Sequence, residues 1–385
     1  MEYKFVIVGW YGTETIGDRA ILAGIIHLLS KSIDCSFSIK IASLFDFFTE
    51  RTLLEDREFL SEISEGRMSE VHGFQITNIF LLEKEIRKCD CVIFGGGPLM
   101  DIEELKYCEY AFRYAKKKKK KCMVLGCGVG PISTPRLINS MHSIINKSDL
   151  IIFRDKNSCI KYKELGGGMD TYSAIDPAVF AANYYREHYP QRRDSYVAIN
   201  FRDVRGDMYD DTRGSEYIKF FLKILKRESE KNNKRIILVP MHSFVIGGDD
   251  RYFYSELLSE YNAPNIATNI IPMSLKEVFS QYRNAEYCYG MRFHSVLLQT
   301  VLNGNNIVLD YTNPETGKTI SLLEDMGVKS DFIERKRYLS LVRDNLCVDF
   351  DIAGGEIFVE HDLIDRYMSF YIKEIKRVLY EGCSC

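Results

Sequence analysis

The chain has 385 residues, 46% hydrophobic and 27% charged, with a formal net charge of -3 at pH 7. These values are ordinary for a soluble globular protein, and so small a net charge excludes a general attraction to nucleic acid or anionic membrane; any basic function must be local. The length exceeds one comfortable core and suits two domains of roughly 150 to 190 residues.

Eleven cysteines, an odd number scattered mostly through apolar runs, suit reduced interior thiols better than a disulfide framework and point to the cytosol. Cys89-Asp90-Cys91 and Cys383-Ser384-Cys385 lack a second pair at zinc-ligand spacing, so no metal is expected. No basic region with an apolar signal core precedes the first strand, and no uncharged run reaches the roughly 18 residues needed to span a bilayer.

Lys4 to Val8 reads as a buried strand, followed by a glycine loop, Gly9 to Asp18, and a helix over Arg19 to Leu29 with a broad apolar face. Asp18 sits at the expected N-cap, just after Gly17. Strand, glycine loop and helix open nucleotide-binding α/β folds, but the spacing is not G-x-G-x-x-G, so a dinucleotide reading is weak. Ser38 to Leu44 reads as the second strand, and Leu53 to Glu65 and Thr77 to Cys89 as helices. Cys91 to Phe94 is a buried strand running into Gly95-Gly96-Gly97, where backbone can approach a ligand and turn N–H groups toward a phosphate or carboxylate; a tight turn alone is the competing reading.

Lys116 to Lys121 are consecutive lysines between a helix over Glu103 to Ala115 and a strand over Cys122 to Leu125. The simplest reading is the solvated end of a helix; docking to an anionic membrane or polyanionic substrate is the other. Gly126 to Pro131 is a second strand-end glycine loop, Leu150 to Phe153 a strand closed by Arg154-Asp155, and Ser158 to Leu165 a helix, with Asp176-Pro177-Ala178 ending the lobe. Tyr184 to Ser195, polar and aperiodic with Pro190, is the expected linker.

The second lobe opens with a strand over Tyr196 to Asn200 that ends in Phe201-Arg202, then an acidic loop and an amphipathic helix over Glu216 to Asn232. A strand over Arg235 to Val239 leads to Pro240-Met241-His242, and Asp249-Asp250 precede a helix starting near Tyr252. Ala285 to Tyr289 is a strand, Gly290 a tight turn, and the apolar run Val296 to Leu302 a helix, which aims unpaired helical N–H groups and a positive dipole end over Arg292 and His294. That is an anion site with a proton donor beside it; a structural ion pair for Arg292 and a satisfied interior histidine are the alternative. Asn306 to Asp310 is another strand, running toward Tyr311 and Lys318, and Val359 to Leu379 a final amphipathic helix. Strands alternating with helices predict an α/β fold of two Rossmann-like lobes, with mainly parallel sheets facing a cleft and ligands beyond the carboxyl ends of the strands. The expected divisions are residues 1–183, residues 195–345, and a C-terminal helix over 357–381 packing on the lobes.

In order, these motifs resemble the polysaccharide pyruvyl transferases. Gly9 to Asp18 is similar to that family's G-x-x-G-x-x-N-x-G-D opening. Gly95-Gly96-Gly97, Gly126 to Pro131, Arg154-Asp155 with Ser158, Asp176-Pro177, Arg202, Gly290-Met291-Arg292-Phe293-His294, and Tyr311 with Lys318 follow in the family's order, over about residues 4–330. Two positions depart: the usual Asn is absent from Thr13-Glu14-Thr15, and Phe293 replaces the usual Leu. The resemblance implies a GT-B-like fold. It also implies transfer of the pyruvyl group of phosphoenolpyruvate onto two hydroxyls of a sugar, as a cyclic ketal with release of phosphate, in making a cell-surface polysaccharide or exopolysaccharide. The N-terminal lobe would then face the acceptor, a free, lipid-linked or nucleotide-linked glycan, and the C-terminal lobe the donor, with no cofactor besides this co-substrate. Cytoplasmic work at the inner face of the membrane and no nucleic-acid partner complete the expectation.

Phosphoenolpyruvate carries a carboxylate and a phosphate, so Arg292, Arg202 and Lys318 are the expected anion-binding cations. Protonating its methylene carbon needs an acid, His294, and the acceptor hydroxyls need a base or an orienting carboxylate, Asp18, which serves equally well as a helix cap. Gly17, Gly96, Gly97, Arg154, His242 and Asp250 are the remaining expected substrate contacts. A nucleotide-sugar glycosyltransferase and a non-catalytic anion-binding protein are the competing readings.

Overall fold

The computed structural model describes residues 2–205, 214–244, 248–346, 350 and 354–380; the terminal Cys383 and Cys385 lie outside them. The chain forms two compact units, Met1–Ala181 with His361–Cys385, and Ala182–Glu360. The described cysteines are all free, and burial pushes the thiols of Cys89, Cys108 and Cys122 up to about 12, which makes them unreactive packing groups.

The first unit runs β1 (Tyr3–Val8), α1 (Ile16–Ser32), β2 (Phe37–Ser43), α2 (Asp46–Glu55), α3 (Arg57–Ile63), β3 (Met68–Gln75), α4 (Ile79–Lys88), β4 (Cys91–Phe94) and β5 (Pro98–Leu99). It continues with α5 (Leu105–Lys117), β6 (Lys121–Val129), α6 (Pro135–Asn146), β7 (Leu150–Phe153), α7 (Lys156–Glu164) and β8 (Tyr172–Ser173). Its strands are parallel in the order β3-β2-β1-β4-β6-β7-β8, with β5 beside β6. The central strands β1, β4 and β7 are apolar throughout their buried stretches because helices cover both faces of a parallel sheet. Strand order reverses between β1 and β4, which places the loop after β1 beside the loop after β4.

Several sequence expectations shift here. The helix expected from Arg19 begins at Ile16, so the N-cap is Thr15, whose hydroxyl accepts from Asp18 N at 3.3 Å, and Asp18 sits inside the first turn. Leu53 to Glu65 is the junction of α2 and α3, and β3 was not expected at all. Gly126 and Gly128 lie inside β6 and not in a loop after it: Gly126 takes φ +64 where the register with β7 slips, a bulge that glycine alone enters without strain. The lysine run straddles the end of α5, with Lys119 at φ +55 in the terminating turn and Lys116 Nζ 2.5 Å from Asp149.

The expected linker begins inside α8 (Ala178–His188), whose last turn takes in Tyr184 to His188, and ends in the strand that follows. The second unit continues with β9 (Asp194–Ile199), α9 (Gly214–Lys226) ending in a π-helical turn Arg227–Lys231, β10 (Arg235–Leu238), α10 (Asp250–Glu260), β11 (Ile266–Thr268) and α11 (Leu275–Asn284). Then come β12 (Ala285–Gly290), α12 (Phe293–Leu302), β13 (Asn306–Asp310), α13 (Lys318–Asp325), α14 (Lys329–Glu334) and β14 (Tyr338–Ser340). The parallel order β11-β10-β9-β12-β13-β14 repeats the reversal of the first unit, now between β9 and β12. The last helix, α15 (His361–Tyr380), belongs to the first unit, where Tyr371 donates to Ile175 O at 3.0 Å. Among the described residues no helix is long and apolar enough to cross a membrane.

Candidate functional site

Charge gathers in the second unit at the carboxyl ends of its strands. Arg202 follows β9, His242 follows β10, Arg292 follows β12, Tyr311 follows β13, and Lys318 opens α13. Gly290 ends β12 because a Cβ there would lie 2.5 Å from Gln299 Oε1; the expected tight turn gives way to close packing against α12. Ser295 Oγ accepts from Met291 N at 3.2 Å and donates to Arg292 O at 2.7 Å, pinning the strand-to-helix turn.

Arg292 is the extended residue that starts α12, and its guanidinium turns onto Asp250, with Nε 2.9 and 3.0 Å from the two carboxylate oxygens and Nη2 2.6 Å from Oδ1. Asp250 is 1% exposed and also accepts from the amides of Met241 at 2.9 Å and His242 at 3.1 Å. Asn200 completes the frame: its Oδ1 accepts from Arg292 N at 3.1 Å, and its Nδ2 donates to Val239 O at 3.1 Å. Asp250, expected as a substrate contact, is thus the buried counter-ion that fixes Arg292.

Arg202 Nη1 donates to the Tyr311 hydroxyl at 2.6 Å with its guanidinium 4.5 Å from the ring centroid, and Lys318 Nζ lies 5.3 Å from the same centroid. Three cations, Arg202, Arg292 and Lys318, therefore act on one locality, where Asp250 pairs with Arg292 and the Asp203 carboxylate also feels the charge of Arg202. Their field is felt by His242, whose half-buried ring has an enclosed Nδ1. Burial first, then the charges of Arg292, Arg202, His294 and Lys318, hold its pKa well below 6.5. His242 is accordingly a neutral ring in this place and adds no positive charge. His294, second residue of α12 and partly exposed, packs edge-on to Phe293 at 5.0 Å.

The first unit's reversal point is built differently. Trp10 N donates to Gly96 O at 3.4 Å, Trp10 Nε1 donates to Pro98 O at 2.7 Å, and the Tyr11 hydroxyl donates to Gly95 O. A Cβ on Gly96 would sit 2.9 Å from the Tyr11 ring, and one on Gly97, at φ +69, would run into the Trp10 indole. These glycines, expected to offer bare amides to an anion, are covered by the aromatic loop. Thr15 donates to the Asp18 carboxylate, and beneath them Arg19 pairs with Asp56 at 2.7 Å while Arg51 pairs with Glu14. Gly17 is buried in the first turn of α1. Arg154 is drawn inward too: 8% exposed, it reaches Asp176 at 3.3 Å and Asp155 at 3.5 Å, and lies 2.9 Å from where a Cβ on Gly128 would be.

Residues 16–313 match the family model described as polysaccharide pyruvyl transferase. The chain belongs to this family. The matched span takes in Asp18, Arg202, Arg292, His294 and Tyr311, while Lys318 lies beyond its end. No curated protein matches the chain in sequence. Among solved structures it is similar to the UDP-GlcNAc 2-epimerase of Neisseria meningitidis bound to UDP-GlcNAc (TM-score 0.54, 13% identity, covering 99% of this chain and 100% of that one). The UDP-GlcNAc 2-epimerase of Methanocaldococcus jannaschii gives TM-score 0.52 at 13% identity over 96% and 100%. An α-glucosyltransferase in complex with UDP gives 0.50 at 11% over 98% and 95%. At such identities the likeness is one of fold, the GT-B class of epimerases and glycosyltransferases.

Asn200, which frames Arg292, was not singled out in the sequence, and Tyr311 was named there only with Lys318 in the family resemblance, without a role. Both directly follow apolar strands, β13 and β9, and that placement was the available signal. Burial would raise the Tyr311 phenol, but the charges of Lys318 and Arg202, a hydrogen bond from Lys318 and the charge of Arg292 outweigh it and bring the pKa down to about 8.

Proposed function

We propose that this chain transfers the pyruvyl group of phosphoenolpyruvate to two hydroxyls of a sugar, forming a cyclic ketal and releasing inorganic phosphate. The observation that carries this reading, beside family membership, is the cluster of Arg202, Arg292 and Lys318 at the strand ends of the second unit, with Arg292 oriented by the buried Asp250. A donor with a carboxylate and a phosphate suits such a cluster, because a guanidinium locked by a buried carboxylate is already oriented when the anion arrives. His294, at the start of α12, is proposed as the acid that protonates the methylene carbon, making C2 cation-like and open to attack by an acceptor hydroxyl. For Asp18 the proposed role is to orient an acceptor hydroxyl, with Asp18→Asn as its direct test. The acceptor class is a sugar of a cell-surface or exopolysaccharide precursor.

The test is phosphate release from phosphoenolpyruvate by purified protein, with and without free, lipid-linked and nucleotide-linked sugars. Acceptor-dependent release is expected; no release with any acceptor, together with no calorimetric binding of phosphoenolpyruvate, sinks the reading, and acceptor-dependent release of a nucleotide from a nucleotide sugar replaces it. In His294→Ala, turnover should fall about 10²- to 10⁴-fold while donor binding is largely kept. Equal loss of both would make His294 an anion-binding group.

A further inference from the structure

Tyr311 is buried at 4% exposure, yet its hydroxyl accepts a 2.6 Å hydrogen bond from Arg202, and its ring is flanked by the Arg202 guanidinium at 4.5 Å and the Lys318 ammonium at 5.3 Å. A phenol whose oxygen is held by cationic donors has its anion stabilised, and that stabilisation weakens when a dianion takes over the same donors. The neighbouring carboxylate does not compete: Asp310 accepts from Thr312 N at 2.8 Å, Thr312 Oγ1 at 2.6 Å and Tyr338 Oη at 2.7 Å. The groups facing Tyr311 are thus Arg202 after β9, Arg292 before α12 and Lys318 on α13, with His242 and His294 as the other titratable members of the cluster.

We propose that Tyr311 is a further catalytic residue: its hydroxyl keeps its proton when a dianion settles among Arg202, Lys318 and Arg292, and delivers that proton to the departing phosphate. This rests on the pyruvyl-transfer reading and supplies the acid that reading lacks. Protonated His294 gives its proton to the methylene carbon, the first acceptor hydroxyl bonds to C2, and its proton returns to His294. Tyr311 then protonates the bridging oxygen as the C2–O bond to phosphate breaks. The second hydroxyl bonds to C2, and its proton restores the Tyr311 phenol. Two hydroxyl protons leave, one ends on the methyl carbon and one on inorganic phosphate, and both residues regain their starting forms.

The first experiment needs only the protein and sulfate, a dianion that does not titrate in this range. Alkaline titration of tyrosinate ultraviolet absorbance should show one component with a midpoint of about 8 in the wild type, absent from Tyr311→Phe. Saturating sulfate should move that midpoint upward toward the ordinary 10. Lys318→Met, which keeps the tyrosine, should also move it upward. The second experiment follows turnover: kcat falls at alkaline pH in the wild type as its acids ionise, while Tyr311→Phe should lose about 10²- to 10⁴-fold in kcat together with the part of that fall that Tyr311 contributes. A wild type with no early-titrating tyrosine, a midpoint that sulfate does not move, or a folded Tyr311→Phe that keeps both kcat and its alkaline limb each overturns the proposal. Absence of phosphoenolpyruvate turnover alone would instead sink the functional reading, since the titration is read without it.

Discussion

Both units reverse their strand order at one place, between β1 and β4 in the first and between β9 and β12 in the second, and both put functional-looking loops there. In the first unit the place is filled from within: Trp10 and Tyr11 lie on Gly96 and Gly97, and the nearby charges are paired, Arg19 with Asp56 and Arg51 with Glu14. In the second, three cations gather around the buried Asp250, beside a histidine held neutral and a phenol whose pKa is lowered. The same sheet topology thus yields a glycine-packed frame in one unit and a cluster of cations in the other. Topology supplies the opening at the strand ends; the residues immediately after each strand decide its chemistry.

The contrast breaks most readily at Asp250. If it is the counter-ion of Arg292, Asp250→Ala leaves a guanidinium buried without its partner and the Met241 and His242 amides without their acceptor, which costs about 3–5 kcal/mol. Denaturant unfolding followed by far-ultraviolet circular dichroism should show that loss. Unchanged stability with donor binding abolished would return Asp250 to the substrate contacts.

A smaller effect tests the first unit. Gly97→Ala forces a Cβ at φ +69 into the Trp10 indole and should cost about 1–3 kcal/mol. Because Trp10 is the chain's single tryptophan, its fluorescence reports this transition directly. An unaltered midpoint would mean that the aromatic loop does not rest on the glycines, and the bare-amide reading of Gly96 and Gly97 would regain force.

What the sequence disclosed follows from what each element buries. β1, β4, β7 and β13 are legible as short apolar runs because helices cover both their faces. β3 is an edge strand reading Met-Ser-Glu-Val-His-Gly-Phe-Gln, exposed or half-buried at every position but Phe74, so it carries no apolar signature. Thr15 stands where the resemblance places the family's Asn, and it caps α1, a position that asparagine also favours. Arg292 and Asp250 are 42 residues apart, and neither pattern nor spacing announces their pairing; the same holds for Arg154 with Asp176. Positions following strands were legible, but whether a charge there faces a ligand or an internal partner depends on contacts that only the folded chain makes.

The most graded difference between the two places is electrostatic, and His242 reports it. Its pKa lies well below the ordinary 6.5, chiefly through burial and then through Arg292, Arg202, His294 and Lys318, so between the two values the unfolded chain holds a proton that the folded chain does not. The stabilisation from keeping this ring neutral is complete above 6.5 and is lost as pH falls below it, with a slope of at most about 1.4 kcal/mol per pH unit for one proton. Unfolding measured over mildly acidic pH should therefore show a slope in the wild type that is reduced in His242→Gln, where nothing titrates at that position. Sulfate should also flatten the wild-type slope, because a dianion among the three cations makes protonation of His242 less costly and lifts its folded pKa toward 6.5. If the slope is the same in wild type and His242→Gln, with and without sulfate, the cations do not act on His242 as one cluster, and the contrast with the first unit loses its electrostatic basis.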